Sequence, residues 1–109
     1  MLEPILGNNI KEKILLTAFV RQEVYARDIA AIFDIYLLSV QNQLKRLEKG
    51  GVLASRLKGR TRLYVFNPRY PFLKELKALL EKALLFIPKA KIDKYYTPRL
   101  RPRRSGKPL

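Results

Sequence analysis

The sequence contains no cysteine and no histidine. Disulfides, zinc sites with thiolate or imidazole ligands, thiol nucleophiles and the commonest general base are therefore excluded. The nine Asp and Glu residues are scattered and form no paired constellation of the kind that acid–base catalysis requires. We therefore expect no enzymatic activity, no metal site and no cofactor.

Long apolar runs are also absent, since no segment approaches the roughly 20 residues of a membrane span. The first residues, MLEPILGNN, place an acidic residue and a proline where a signal peptide needs a basic start and an apolar run. We expect a cytoplasmic protein that does not contact a membrane.

The length of 109 residues suffices for one small core, and the hydrophobic share of 48% is typical of a folded protein. We predict a domain over residues 1–87 and a basic, proline-rich extended tail over residues 88–109. Four of the seven prolines lie in this tail, and its like charges repel one another. Its apolar residues either dock on the domain or a partner while its arginines contact phosphate, or the tail is disordered and has no function.

The positive charge is concentrated in two parts of the chain. Of the net charge of +14, residues 35–66 carry +6 and residues 88–109 carry +7. Localised positive charge is typical of proteins that bind polyanions, because each neutralised phosphate releases condensed counterions. A solubilising surface and an acidic protein partner are the alternatives.

Two helices are predicted before residue 35. Asn9, with Glu12 three residues later, resembles a capping box, and apolar residues at helical spacing then predict a helix over Lys11 to Arg21. Residues 22–25 are predicted to form a short strand that pairs with a later hairpin. Apolar residues at i, i+3, i+4 and i+7 predict a second, short helix over residues 26–33.

A third helix is predicted from about Tyr36 to Lys49, and a short helix, a tight turn and a longer helix are typical of a helix-turn-helix. At 100° per residue, Val40, Leu44 and Leu47 share one face. Gln and Asn side chains bond adenine, and Lys and Arg reach guanine or phosphate. An ordinary solvent-exposed face is the alternative for the opposite side, which carries the predicted DNA-binding residues Leu38, Ser39, Gln41, Asn42, Lys45, Arg46 and Lys49.

A basic hairpin follows the third helix. Gly50 and Gly51 end the helix, and runs of β-type residues over 52–58 and 62–67 are joined by Gly59, Arg60 and Thr61. Such a tip fits a minor groove or the phosphates beside a recognition helix, although an edge hairpin protected by its charges is the alternative. The predicted contact residues of this wing are Arg56, Lys58, Arg60, Thr61 and Arg62.

A last helix is predicted over Phe72 to Phe86, with an apolar stripe broader than one small domain needs to bury. We expect a homodimer through this stripe, although the first helix alone covers it in the alternative arrangement. The predicted dimerisation residues are Phe72, Leu76, Leu79, Leu80, Ala83, Leu84 and Ile87.

The motifs AxxIAxxFxIxxxxVQxQLKRLEKGGVL and GRTRLYVFNPRYPFLKEL are similar to those of a known family. Over roughly Gly7 to Ile87 the chain resembles the ArsR-like winged helix-turn-helix regulators, in particular the small metal-independent ones often found beside nucleotidyltransferase-like proteins. Two features depart from the family pattern. Tyr36, Leu37 and Leu38 stand where a serine or threonine usually opens the recognition helix, and the thiol and imidazole ligands of the metal sensors are missing.

The resemblance implies a mainly α fold with a small β-hairpin (α+β): a three-helix core, a two-stranded wing and a C-terminal dimerisation helix. It also implies a transcriptional repressor that binds double-stranded DNA as a homodimer, with the helix over 37–49 in the major groove and the wing over 56–62 on phosphates or in the minor groove. The alternative is a protein-interaction module that holds a nucleotidyltransferase-like or other protein through the last helix and basic tail.

Overall fold

The computed structural model describes residues 1–97, and the remainder of the predicted tail lies outside the described residues. The described part is mostly helical, with one small sheet. Its elements in chain order are α1 (Glu3–Leu6), α2 (Asn9–Arg21), β1 (Val24–Tyr25), α3 (Ala26–Phe33), α4 (Leu37–Lys49), β2 (Leu53–Lys58), β3 (Thr61–Phe66), α5 (Leu73–Leu84), α6 (Lys89–Lys91) and a π-helical turn (Ile92–Tyr96).

The N-cap of helix α2 lies one residue earlier in the chain than the sequence predicts. The side chain of Asn8, and not that of Asn9, accepts a hydrogen bond of 2.7 Å from the backbone N–H of Lys11. Glu12 does not complete a capping box, because its carboxylate accepts a 2.8 Å hydrogen bond from the backbone N–H of Leu2. This bond ties α1 to α2, with Leu2 buried beneath it.

The sheet is antiparallel with strand order β1-β3-β2. The predicted pairing of residues 22–25 with the hairpin is confirmed, since Val24 faces Tyr64 across the ladder. The hairpin turn is shorter than predicted: Lys58 pairs with Thr61, so only two residues connect the strands. The first of them is Gly59 with a φ of +66°, which is typical of a type II′ turn.

Helices α3 and α4 form the predicted helix-turn-helix. Helix α3 has the predicted bounds and ends at Asp34, which adopts a left-handed conformation with a φ of 55°. Helix α4 ends at the double glycine, where Gly51 has a φ of +83°, a conformation that glycine adopts at little cost. The backbone N–H of Val52 then bonds the carbonyl of Leu47 and leads the chain directly into β2.

The core lies between α2, the helix-turn-helix, the sheet and α5. Helix α2 lies at its centre, because three consecutive residues of this helix, Ile14, Leu15 and Leu16, are no more than 2% exposed. A fully buried large aliphatic side chain contributes about 1.5–3 kcal/mol. The other elements contribute fully buried residues to the same cluster, namely Ile29, Val40, Leu44, Leu53 and Leu80.

The segment after α5 is not extended where the structure describes it. Residues 89–97, here called the C-terminal clasp, comprise α6, the π-helical turn and Thr97, and they pack against α2 and α3. Tyr96 is only 7% exposed and belongs to the core. The predicted boundary at residue 87 therefore separates α5 from residues that complete the same core.

Aromatic contacts and hydrogen bonds hold the clasp against α2 and α3. The ring of Phe33, the last residue of α3, stacks on Tyr95 at a centroid distance of 5.4 Å and meets Tyr96 at 5.5 Å. The guanidinium of Arg21, at the end of α2, donates hydrogen bonds to main-chain carbonyls of the clasp. The predicted phosphate-binding arginines of the tail, from Arg99 onward, lie outside the described residues.

This order of elements, with a helix-turn-helix followed by a hairpin beside its second helix, is the winged helix-turn-helix fold. The predicted fold class is thereby confirmed. Within residues 1–97, every helix is too short or too polar to cross a membrane.

Candidate nucleic-acid interface

Helix α4 buries one face and exposes the other, as its sequence predicts. Val40 and Leu44 are fully buried and Leu47 nearly so. Leu38, Asn42, Lys45 and Lys49 follow one another at helical spacing along the exposed side. Two of the seven predicted DNA-binding residues of α4, Ser39 and Gln41, are half-buried. The other five are exposed: Leu38, Asn42, Lys45, Arg46 and Lys49.

The start of α4 carries exposed apolar side chains. Tyr36 is the N-cap residue, makes no side-chain capping bond and is 86% exposed, while Leu38 is 66% exposed. The carbonyl of Tyr36 accepts the first helical hydrogen bond, from the N–H of Val40. An aromatic ring and a leucine thus lie at the exposed entrance of the helix, where the resemblance leads one to expect a short hydroxyl side chain.

The wing cations are divided between the two faces of the hairpin. Ser55 pairs with Tyr64 and Leu57 with Arg62, so Arg62 shares a face with Ser55. Arg56 and Lys58 alternate with these residues and project from the opposite face. All five predicted wing residues are exposed, but the strand register brings only part of the set toward α4.

A hydrogen-bonded chain links α4 to the wing. The hydroxyl of Ser55 donates to Oε2 of Glu48, in the last turn of α4, at 2.6 Å. Nη1 of Arg62 donates to the same Ser55 hydroxyl at 2.9 Å. Tyr64 lies beside these hydrogen bonds. Burial raises the pKa of Tyr64 and the Glu48 carboxylate raises it further, whereas the Arg62 guanidinium lowers it.

A basic cleft with a volume of about 350 Å³ lies between the start of α3, α4 and the wing. Four of its lining residues are cations: Arg27 from α3, Lys45 from α4, and Arg60 and Arg62 from the hairpin. Within the described residues, no acidic side chain lines the cleft, and the Glu48 carboxylate is linked to Arg62 through the Ser55 hydroxyl. The remaining lining residues are Tyr25, Ala26, Gln41, Thr61 and Tyr64.

Of the four cations that line the cleft, Arg27 is the one that the sequence analysis did not predict. It occupies the first turn of α3, a helix whose apolar spacing alone drew attention. The pairing of β1 with β3 places this turn beside the wing. The predicted pairing was the one signal in the sequence that pointed to such a position for Arg27.

Part of the predicted dimerisation stripe of helix α5 packs against the core of the same chain. Leu80 and Ala83 are 0% and 5% exposed and belong to the core, so they are unavailable on the surface. Phe72 is 62% exposed. The two most exposed large apolar residues of this region, Leu85 at 80% and Phe86 at 70%, follow the helix and were not in the predicted set. The rest of the stripe is half-buried against the core: Leu76, Leu79, Leu84 and Ile87.

Potential metal ligands are not clustered among the described residues. Among residues 1–97, no three His, Cys, Asp or Glu side chains lie close enough together to hold a metal ion.

The geometry described above is that of a winged helix-turn-helix domain, and comparison with solved structures finds winged-helix transcriptional regulators of similar fold. The AntR antimony-specific transcriptional repressor is 26% identical, with a TM-score of 0.60 over 83% of this chain and 77% of that one. The adhesin competence repressor AdcR of Streptococcus pyogenes is 19% identical, with a TM-score of 0.58 over 86% of this chain and 73% of that one.

A transcriptional regulator homologue from Pyrococcus horikoshii OT3 is 23% identical, with a TM-score of 0.54 over 83% of this chain and 86% of that one. The likenesses at 19% and 23% identity show the shared fold. No family model matches the chain, and no curated protein sequence does.

Proposed function

We propose that the protein is a DNA-binding transcriptional regulator, in which α4 enters the major groove and the β2–β3 wing contacts phosphates or the minor groove. The observation that carries the proposal is the basic cleft. Four cations from three separate elements converge there, with no acidic residue among the lining residues. A merely solubilising surface has no need of such convergence, whereas the phosphates of a duplex beside α4 require it.

The exposed side of α4 supports base contacts. Asn42 and Gln41 present amides that suit adenine, and Lys45 and Arg46 suit guanine or phosphate. Leu38 suits the methyl group of thymine, since it is exposed at the start of the helix. Base contacts would then alternate with phosphate contacts along one helix, which is the usual docking of a recognition helix.

We further propose that the regulator is a homodimer and a repressor of the ArsR-like, metal-independent type. The exposed apolar residues Phe72, Leu85 and Phe86 support a self-association surface at the ends of α5. A two-fold dimer presents two recognition helices to a pseudo-palindromic site. The lack of cysteine and histidine leaves the chain without the side chains that classical metal sensors of that group use.

The test is the affinity of the full chain for labelled DNA duplexes, selected from random sequence, as a function of salt concentration. With roughly 6 to 10 phosphate contacts per dimer, the logarithm of the affinity should fall against the logarithm of salt with a slope of about −5 to −9. Weak binding that is indifferent to salt would contradict the proposal. Capture of a nucleotidyltransferase-like protein in place of DNA would instead favour an interaction module.

A further inference from the structure

The link between Glu48, Ser55 and Arg62 has a consequence that rests on the proposed DNA-binding function. Arg62 is exposed on the wing, and a long exposed arginine side chain ordinarily samples many rotamers. Here one of its nitrogens is held at 2.9 Å by the hydroxyl of Ser55, which the Glu48 carboxylate orients from the other side at 2.6 Å. The hydroxyl therefore acts as acceptor and donor at once.

We propose that Ser55 is a positioning residue that holds the Arg62 guanidinium in the basic cleft, ready to bind a backbone phosphate of DNA. A guanidinium has five N–H donors, and the bond to Ser55 occupies one of them. The others remain for a phosphate, alongside Arg27, Lys45 and Arg60. Ordering Arg62 before binding removes part of the entropic cost of ordering it in the complex.

The serine also keeps the acid away from the arginine. Within the described residues, no direct ion pair joins Glu48 to Arg62, because the hydroxyl lies between them. A direct carboxylate contact would satisfy the guanidinium in bidentate fashion and compete with phosphate for the same donors. The intervening hydroxyl orients the Arg62 guanidinium and leaves its remaining N–H donors available for a phosphate.

Ser55→Thr and Ser55→Val form a matched pair for the test, because the two side chains have nearly the same shape and differ by the hydroxyl. Both are favourable in a strand, so both variants should fold. We expect the Thr variant to bind duplex DNA as the unmodified chain does, and the Val variant to bind about 2- to 12-fold more weakly. Equal affinities for the two variants would refute the inference.

A double-mutant cycle shows whether Ser55 acts through Arg62. In an Arg62→Gln background, which itself should make the salt slope shallower by about one contact, the Thr and Val variants should bind equally. In an Arg56→Gln background, on the opposite face of the same hairpin, the difference should persist. A Thr/Val difference that survives the loss of Arg62 refutes the positioning role.

The two proposals fail in different ways. If the unmodified chain binds no duplex at any salt concentration, the DNA-binding function itself is refuted, and the role of Ser55 with it. If the unmodified chain binds with a steep salt slope and the Val variant binds equally well, only the role of Ser55 is refuted.

Discussion

Nε of Arg21 donates a 2.9 Å hydrogen bond to the main-chain carbonyl oxygen of Tyr96, which lies 75 residues further along the chain. Nη2 of the same guanidinium lies 3.4 Å from the carbonyl oxygens of Tyr95 and Thr97. One charged side chain at the end of α2 thus bonds carbonyls at the end of the π-helical turn, whose last residue is Tyr96.

Replacement of Arg21 by Met should lower the free energy of unfolding by about 1.5–3 kcal/mol, the usual contribution of hydrogen bonds to a charged group. Met keeps most of the apolar stem and removes the donors. Urea unfolding monitored by circular dichroism measures the change, with Arg27→Met on the exposed side of α3 as control. The control should stay within about 0.5 kcal/mol; equal effects of both substitutions would contradict a role for the carbonyl contacts.

Tyr96 should make stability depend on alkaline pH. Burial, with a smaller contribution from the Glu12 carboxylate, raises its pKa from 10.0 to about 12. The unfolded chain therefore loses its phenolic proton more readily, and the stabilisation present below pH 10 is lost as the pH rises from 10 to about 12.

The loss from this one group amounts to about 3 kcal/mol at most. Parallel urea titrations across that pH range should show that Tyr96→Phe loses less stability than the unmodified chain, since other groups titrate equally in both. Identical pH profiles for the two proteins would show that Tyr96 does not titrate in this way.

Two truncations should separate folding from binding. A chain that stops after Ile87 lacks the clasp and should lose at least the roughly 3–5 kcal/mol that removal of one buried aromatic side chain costs. A chain that stops after Thr97 keeps Tyr96 and should unfold at the same urea concentration as the full chain. Equal stability of all three chains would contradict the structural role of the clasp.

Truncation after Thr97 also tests the proposed phosphate contacts of the tail. It removes five cations, Arg99, Arg101, Arg103, Arg104 and Lys107, so its DNA affinity should be lower and its salt slope shallower than those of the full chain. An unchanged slope would show that these residues make no phosphate contacts.

Lys45→Ala and Arg60→Ala should differ in kind. Lys45 lies on the exposed side of α4, so its loss should change the preference among base sequences, whereas Arg60 lies in the wing turn and its loss should weaken binding to all sequences alike. Affinities of each variant for a panel of duplexes with single base-pair changes distinguish the two effects. The same proportional loss on every duplex from both variants would remove the case for base contacts by Lys45.

Phe86→Asp should dissociate the proposed homodimer without unfolding the protomer. The side chain is 70% exposed, so a carboxylate there costs little in the free protomer but opposes burial against a second copy. Sedimentation equilibrium measures the association, which should weaken by about 2 kcal/mol or more for a central contact.

Leu57→Asp is the matched control, because Leu57 is 62% exposed but lies in the wing. The self-association constant of the Leu57→Asp variant should equal that of the unmodified chain. A monomeric unmodified chain, or equal weakening by both substitutions, would contradict dimerisation through the end of α5.

The local pattern was sufficient for the helix-turn-helix and wing, where spacing and glycine position act within a few residues. The bounds of α3 follow from Ala26, Ile29, Ala30 and Phe33 alone, and the wing follows from Gly59 between two β-type runs. These elements depend on neighbours in sequence, so the sequence predicts them.

Docking of the clasp on the domain was one of the alternatives that the sequence left open, but its helical turns were not predicted, because composition and spacing pointed in opposite directions. Prolines and like charges after residue 88 favoured an extended tail, although Ile92, Tyr95 and Tyr96 have the i, i+3, i+4 spacing of a helix face. In the structure, Tyr95 and Tyr96 contact the ring of Phe33, about 60 positions earlier in the chain. Such a contact is not visible in the local sequence.

The same limit applies to the candidate site and to α5. The cleft depends on Arg27 meeting the wing across the sheet, and the α5 stripe cannot reveal by itself which leucines face the protomer's own core. The width of an apolar stripe indicates how much surface must be buried, but it does not show whether the same chain or a partner buries it. The buried Leu80 and the exposed Phe86 illustrate the two outcomes.

The docking of the clasp also constrains how the protein is made. A ribosome adds about 5–20 residues per second and releases the chain from its N-terminal end. Helices α2 and α3 leave the ribosome early, but Tyr96 and the carbonyls that Arg21 binds are among the last of the described residues to emerge. Until Tyr96 has emerged, part of the core stays open, so the packing of α2 and α3 is completed only after the clasp has been made.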